Sequence, residues 1–123
     1  MLLNLSNHPS TRWSDKQKQT AIENYGTIQD MPFPNVPPAA TSDEIKILAN
    51  DYIKQIRQLA KAEINQPFAV HIMGEMTLIF RIITLLKRSK IVCVASTSER
   101  NAIENVDGTK TIQFSFSQFR TYG

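Results

Sequence analysis

Short apolar runs alternate with amphipathic segments along the first ninety residues of the chain. Residues 1–6 are an apolar run that ends at Asn-His-Pro, which predicts a strand beginning at the first residue. The polar-apolar alternation of residues 27–31 predicts a half-exposed edge strand. Residues 68–72 and 91–95 are apolar runs of strand length, and the β-branched character of the second predicts a strand covered on both faces.

Three helices are predicted between these strands. Ser14 is placed to cap the first helix, which stops at Gly26. Thr41 or Ser42 caps a long second helix with one apolar face. The third helix, about residues 76–88, is apolar nearly all round. This predicts burial by the sheet on one side and by another helix or a partner subunit on the other.

The end of the chain carries a hairpin signal. Asp107-Gly108 marks a tight turn between residues 102–106 and 111–119. In the last of these segments, apolar residues alternate with polar ones, which predicts one buried and one wet face. The apolar residues are Ile112, Phe114 and Phe116.

The predicted order is β-α-β-α-β-α-β followed by a hairpin. Alternating strands and helices favour an α/β fold, with a Rossmann-like, mostly parallel sheet flanked by helices and joined by right-handed crossovers. The length of 123 residues fits one domain, residues 1–123.

Composition and charge narrow the environment and the partners. The single cysteine cannot form an internal disulfide, the first residues lack the features of a signal peptide, and no apolar run approaches a membrane span. A cytoplasmic location without membrane contact is therefore expected. The net charge of +3 arises in residues 67–123, where it marks either a solvated helix face or attraction for an anionic ligand. It is too small to predict binding of duplex nucleic acid.

Polar segments follow three of the predicted strands. They are residues 6–9, 73–75 and 96–100. In open parallel sheets, ligands bind beyond the carboxyl ends of the strands where the strand order reverses, and a flavodoxin-like order places the first two segments there. The three segments are therefore predicted to be loops that meet in one ligand site.

The candidate chemistry of these segments suits an anion. Gly74 leaves room for a ligand against the backbone, and Thr77 with the helix amides that follow could hold a phosphate. Glu75 could instead cap that helix with its own carboxylate. Ser96 and Thr97 offer hydroxyls to the same ligand.

Several residues have a structural alternative. Arg100 offers a forked donor to phosphate oxygens, or pairs with a neighbouring glutamate. His8 is a candidate acid or base, or a structural hydrogen-bonding residue, whereas mid-strand His71 is expected to be a satisfied core residue. Trp13 is expected to plug the core rather than stack on a base, and Cys93 to act as a small hydrophobe. The histidine and cysteine spacings predict no metal site.

Four stretches resemble a known protein family. They are Leu3-Asn4-Leu5-Ser6-Asn7-His8-Pro9, the Gly74-Glu75 exit from the third strand, Ala95-Ser96-Thr97-Ser98-Glu99-Arg100, and Phe116-Ser117-Gln118-Phe119-Arg120-Thr121-Tyr122. Together they resemble the small stand-alone CRISPR-associated proteins of the CARF-like group that accompany type III systems, several of which act as ring nucleases. The resemblance spans the chain, although the proline-rich loop 32–38 has no match in it.

The resemblance implies binding of a cyclic oligoadenylate, most often the four-adenylate ring, across a homodimer, and metal-independent cleavage of that ring without a cofactor. Two-fold symmetry of the ring suits an isologous dimer. In this interpretation His8 and Arg100 are the catalytic residues. The ligand-binding residues are Ser6, Asn7, Gly74, Glu75, Thr77, Ser96 and Thr97.

Two other functions stay open at this point. The same site could serve a non-catalytic receptor or sponge for the cyclic oligoadenylate. Alternatively, the chain could be a small α/β protein that binds another phosphorylated metabolite.

Overall fold

The computed structural model describes all residues, 1–123. Three α-helices and five strands follow the predicted order as far as the fourth strand. Their bounds in chain order are β1 Leu2–Ser6, α1 Asp15–Tyr25, β2 Ile28–Pro32, α2 Ser42–Ala62, β3 Ala69–Met73, α3 Met76–Arg88, β4 Val92–Glu104 and β5 Lys110–Thr121. None of the three helices combines the length and the apolar character that crossing a lipid bilayer requires.

The five strands form one sheet in the order β2-β1-β3-β4-β5. The first four are parallel, and β5 is antiparallel to β4. The α/β class, the mostly parallel Rossmann-like sheet and the C-terminal hairpin are thus confirmed. The strand order reverses between β1 and β3, because β2 lies on one side of β1 and the later strands lie on the other. The carboxyl ends of β1 and β3 therefore flank the crevice where parallel sheets bind ligands.

Two cores lie on opposite faces of the sheet. On one face α2 and α3 pack together and bury Leu3, Leu5, Val70 and Ile72 of the central strands. On the other face α1 is the only α-helix, and it covers a smaller core around Leu2 and Ala69. This second face is therefore only partly covered, and the polar side chains described below lie there.

The predicted caps explain where two helices begin. The hydroxyl of Ser14 accepts a hydrogen bond from the Gln17 amide, and that of Thr41 accepts one from the Glu44 amide. Gly26 ends α1 at a φ of 89°, a conformation that side chains other than glycine rarely adopt.

The proline-rich segment 32–38 packs across the exits of the central strands. The ring of Phe33 occupies the space beside Gly74, so closely that a Cβ at that position would lie 2.6 Å from its Cζ. Tyr52 of α2 also donates a hydrogen bond to the carbonyl of Pro32, at 3.4 Å. The space beside Gly74 is therefore filled by the Phe33 ring and is not open to a ligand.

The structure corrects the prediction for residues 96–100. They are not a loop, because β4 continues without interruption from Val92 to Glu104. The predicted fourth strand and the first strand of the hairpin are thus one long strand, with a bulge between Thr97 and Ser98. Its second half pairs with β5 alone and forms a two-stranded ribbon, residues 98–116. The strand was predicted to end at residue 95, but antiparallel pairing with β5 continues it to Glu104.

The predicted burial of the hairpin is wrong in part. Phe116 is buried, whereas Ile112 is 46% and Phe114 is 71% exposed. These three side chains do share one face of β5, as their alternation indicates. Only the part of the ribbon next to the sheet has a core to contact. The remainder of that face is open.

Gly74→Ala tests the close packing against Phe33. The added methyl group is expected to lower the free energy of unfolding by about 1–3 kcal/mol, because the Phe33 ring must shift to admit it. Urea denaturation measures this loss. In a Phe33→Ala background the same change should cost almost nothing, because the space is then free. Equal losses in both backgrounds would contradict the packing argument.

Candidate functional site

Three polar side chains line up on the partly covered face of the sheet. Asn4 of β1 and His71 of β3 are paired directly across the two strands. Ser96 follows on β4, two residues beyond Val94, the partner of His71. Asn4 and His71 are each only 1% exposed, and Ser96 is half-buried. Burying such groups is unfavourable unless they are hydrogen-bonded, so their partners determine the site.

The hydrogen bonds of Asn4 fix the orientation of its amide. Its nitrogen donates to the His8 carbonyl at 2.8 Å and to a carboxylate oxygen of Asp30 at 2.9 Å. Its oxygen accepts from the Ser6 hydroxyl at 2.7 Å and lies 2.8 Å from Nδ1 of His71. The reverse orientation would set the amide oxygen against two other acceptors. The oxygen therefore faces His71.

The orientation of Asn4 in turn determines the tautomer of His71. Because Nδ1 faces an acceptor, it carries the hydrogen and donates it. Nε2 is then an acceptor, and it lies 3.1 Å from Oγ of Ser96. Burial lowers the pKa of His71 to about 4, with a smaller contribution in the same direction from His8. The ring is therefore neutral at neutral pH.

Asp30 anchors the outer end of this chain of hydrogen bonds. Besides the Asn4 amide, it accepts hydrogen bonds from the backbone amide and the hydroxyl of Ser10, at 3.1 and 2.8 Å. Burial alone would raise the pKa of this carboxyl, but the hydrogen bonds from Asn4 and Ser10 outweigh it and lower the pKa. The row Asn4-His71-Ser96 thus ends, on the side of β2, at an ionised carboxylate that accepts from Asn4.

Trp13 covers the row from the side of α1. It is buried, and its indole nitrogen donates to the His8 carbonyl at 3.2 Å. Its ring meets that of His71 edge-on, with centroids 5.2 Å apart. Trp13 therefore plugs the core as expected. It also shields His71 from water, which contributes to the low pKa of that group.

Beside this row, a cleft of about 480 Å³ opens between α1 and the ribbon. Its lining combines a guanidinium, two imidazoles, hydroxyls and aromatic rings, a set that suits a polar ligand with a planar group. The residues are His8, Arg12, Trp13, Ser14, Gln17, His71, Met73, Ser96, Ser98, Phe114 and Phe116.

The structure brings together some of the predicted site residues at this cleft and separates others. His8 and Ser96 both line it. Ser6 does not line it: this residue is buried, its hydroxyl donates to Asn4, and it borders a separate hollow of about 260 Å³. Asn7 lines two smaller hollows of about 260 and 300 Å³ near the proline-rich segment, and Glu75 lines the second of them.

Glu75 and Thr77 are occupied with each other at the start of α3. The Glu75 carboxylate accepts from the amides of Thr77 and Leu78, and from the Thr77 hydroxyl at 2.6 Å. These bonds, that of the hydroxyl foremost, lower the pKa of Glu75. The Glu75 carboxylate therefore caps α3 at the place where a phosphate was predicted to bind. This is the second of the two roles that the sequence left open for Glu75.

Thr97 and Arg100 are strand residues of β4. The hydroxyl of Thr97 donates across the ribbon to the Gln118 carbonyl at 3.3 Å. Arg100 is exposed and pairs with Phe114 of β5. Because side chains alternate along a strand, Arg100 shares the face of Ser98. Its partner Phe114 lines the cleft, whereas Arg100 itself does not.

Several residues of the site were missed from the sequence as functional candidates, among them Asn4, Asp30, His71 and Arg12. The first three are polar residues within strand-like stretches, and a buried polar group in a strand is informative because it needs a partner. Arg12 lies in a short 3-10 turn, Ser10–Arg12, whose position no local pattern indicates.

Cys93 and the acidic residues offer no second site. The Cys93 thiol is buried, and burial raises its pKa to about 11. No group of three or more His, Cys, Asp or Glu side chains comes together in a way that could hold a metal ion.

A test of the Asn4-His71 pair uses pH. Because His71 has a pKa of about 4 when folded and about 6.5 when unfolded, the unfolded chain binds the proton more tightly. Stability is therefore full above pH 6.5 and falls as the pH decreases to 4, by roughly 3 kcal/mol from this group.

His71→Gln, which can still donate and accept, should lack this component. The free energy of unfolding at pH 7 and pH 4, measured by urea denaturation, should therefore fall further in the wild type than in the variant. Equal losses would contradict the assigned state of His71.

Comparison with known proteins gives one match. A family model described as the Uncharacterized protein MJ1673 family matches residues 1–120. No curated protein and no solved structure matches the chain.

Proposed function

The chain belongs to the MJ1673 family, and we propose that it binds a cyclic oligoadenylate, the four-adenylate ring in the first instance, in the cleft between α1 and the ribbon. The observation that carries the proposal is the lining of this cleft. It sets the guanidinium of Arg12 and the imidazole of His8 beside the Ser96 hydroxyl and the exposed ring of Phe114. A cation suits a phosphodiester, and an exposed aromatic ring suits an adenine base.

The size of the cleft supports a site shared by two copies. About 480 Å³ is the volume of a pocket for a small ligand, which suits part of a four-nucleotide ring. A second copy related by a two-fold axis would supply the same groups to the other half. The ribbon offers a surface for that copy. Its cleft-side face continues outward from Phe114 to Ile112, both exposed, with Arg100 between the sheet and the tip.

The same groups would also open the ring. This is the activity of the CARF-like ring nucleases that the sequence resembles. The ribose 2′-oxygen would attack the adjacent phosphorus and displace the 5′-oxygen, which leaves a 2′,3′-cyclic phosphate and a 5′-hydroxyl. The 2′-hydroxyl loses a proton and the 5′-oxygen gains one. His8 is the group of the cleft suited to transfer these protons. Arg12, with Arg100 further along, would balance the charge on the phosphoryl oxygens.

Incubation with cyclic tetra-adenylate tests binding and turnover together. We expect saturable binding by calorimetry and a linear product with a 2′,3′-cyclic phosphate end by chromatography. Turnover should be unchanged by EDTA, because the 2′-hydroxyl is its own nucleophile. Stoichiometric binding without product would identify a receptor or sponge. Binding of mononucleotides but of no cyclic oligoadenylate would contradict the proposal and favour another phosphorylated metabolite.

Arg12→Ala tests the location of the site. Loss of a charge-assisted contact to phosphate should weaken binding by about 10- to 100-fold for each of the two copies that share the ring. It should also reduce the slope of log affinity against log salt by about 1.4, because each of the two copies loses one phosphate contact and each contact of a single strand contributes about 0.7. Thermal unfolding should shift little, because Arg12 is exposed.

Lys61→Ala is the matched control for this charge change. Lys61 is exposed on α2, which packs against the opposite face of the sheet. It should leave both the affinity and the salt slope unchanged. If the two variants lose affinity equally, binding depends on net charge and the cleft is not the site.

A further inference from the structure

The hydroxyl of Ser96 has its single hydrogen committed inside the protein. Its oxygen lies 3.1 Å from Nε2 of His71 and 3.2 Å from the sulfur of Met73. A serine hydroxyl has one hydrogen and two lone pairs. The imidazole nitrogen is the stronger of the two acceptors, and in either rotamer the hydrogen is used within the chain. The lone pairs remain for a ligand.

The neighbouring groups leave His71 no alternative but to accept. The amide nitrogen of Asn4 is committed to the His8 carbonyl and to Asp30, so its oxygen faces Nδ1 at 2.8 Å. Nδ1 therefore holds the ring hydrogen of the neutral imidazole, and Nε2 has none. Each step follows from counting donors and acceptors in a buried row, where an unmatched pair is strongly unfavourable.

We propose that Ser96 is an acceptor-only group in the cleft and that it selects the ribose 2′-hydroxyl of the ligand. This inference rests on the proposed function, since it concerns the same cleft. A phosphate oxygen carries no hydrogen at neutral pH, so it gains no hydrogen bond from such a group. The 2′-hydroxyl does carry one, and it lies next to the 3′-phosphate that Arg12 would hold.

The role differs from the one predicted from the sequence, in which the Ser96 hydroxyl donates to phosphate. It makes Ser96 a specificity-determining residue, because the 2′-hydroxyl is what distinguishes RNA from DNA at a given site. Ser98 lines the same cleft two residues further along β4. It provides a comparison with a serine outside the Asn4-His71-Ser96 row.

Three ligands that share ring size, bases and phosphates test the inference. They are cyclic tetra-adenylate, its 2′-fluoro analogue, which accepts but has no hydrogen to donate, and its 2′-deoxy analogue. Wild-type protein should bind the ribose ring more tightly than either analogue by about tenfold for each Ser96 that contacts it, which is about 100-fold for a ring shared by two copies. Competition binding, with chromatography to verify that the ribose ring is intact, measures the ratio without any variant.

Two variants locate the effect. Ser96→Ala should bind all three rings with similar affinity, so that the ratio falls to about one. Ser98→Ala should keep the wild-type ratio even where its absolute affinity changes. Circular dichroism and thermal unfolding verify that both variants fold.

The outcomes separate the two proposals. If the wild type binds the ribose and 2′-fluoro rings equally, the inference is overturned while the proposed function stands. The same conclusion follows if Ser96→Ala keeps the full ratio. If none of the three rings binds, the proposed function fails and takes this inference with it.

Discussion

The orientation of one buried amide governs the polar interior of this protein. Asn4 lies in the middle of the sheet, where water cannot replace a missing partner. Its nitrogen connects β1 to the Asp30 carboxylate in the middle of β2, and its oxygen connects β1 to His71 on β3. His71 in turn accepts a hydrogen bond from Ser96 on β4, so the row of hydrogen bonds extends across all four parallel strands. The protonation state of the histidine and the direction of the serine hydroxyl both follow from how this amide is turned.

Most of the fold could be predicted because its signals are local. Ser14, Thr41 and Gly26 delimit helices by chemistry that acts within one turn, and the apolar runs of the central strands match the observed parallel sheet. The extent of β4 could not be predicted in this way. The polar residues after Ala95 look like a loop, but they are held as a strand by their partners on β5, which for Ser96 is Phe119, 23 residues away. Such pairing leaves no local pattern.

The candidate site shows the same division. His8 and Ser96 were predicted to lie near each other, and both line one cleft. Ser96 reaches it from within β4 and not from a strand end. The roles of individual side chains depended on contacts that the sequence does not display. Glu75 caps a helix, Phe33 fills the space beside Gly74, and His71 is joined to Asn4 across 67 residues of chain. A mid-strand histidine was a sign of a buried network, but its partners became known only from the fold.

The ribbon divides the molecule into parts of unequal local stability. Only Val92, Cys93 and Val94 of β4 pair with β3, so the residues beyond them lose all their interstrand bonds if β5 detaches. A ribbon of two strands is marginal by itself. It should therefore open and close while the rest of the sheet remains intact, and its amides should exchange with solvent sooner than those of β1 and β3. One wall of the cleft thus belongs to this less stable ribbon. Binding of a ligand must order the ribbon, which reduces the net free energy of binding.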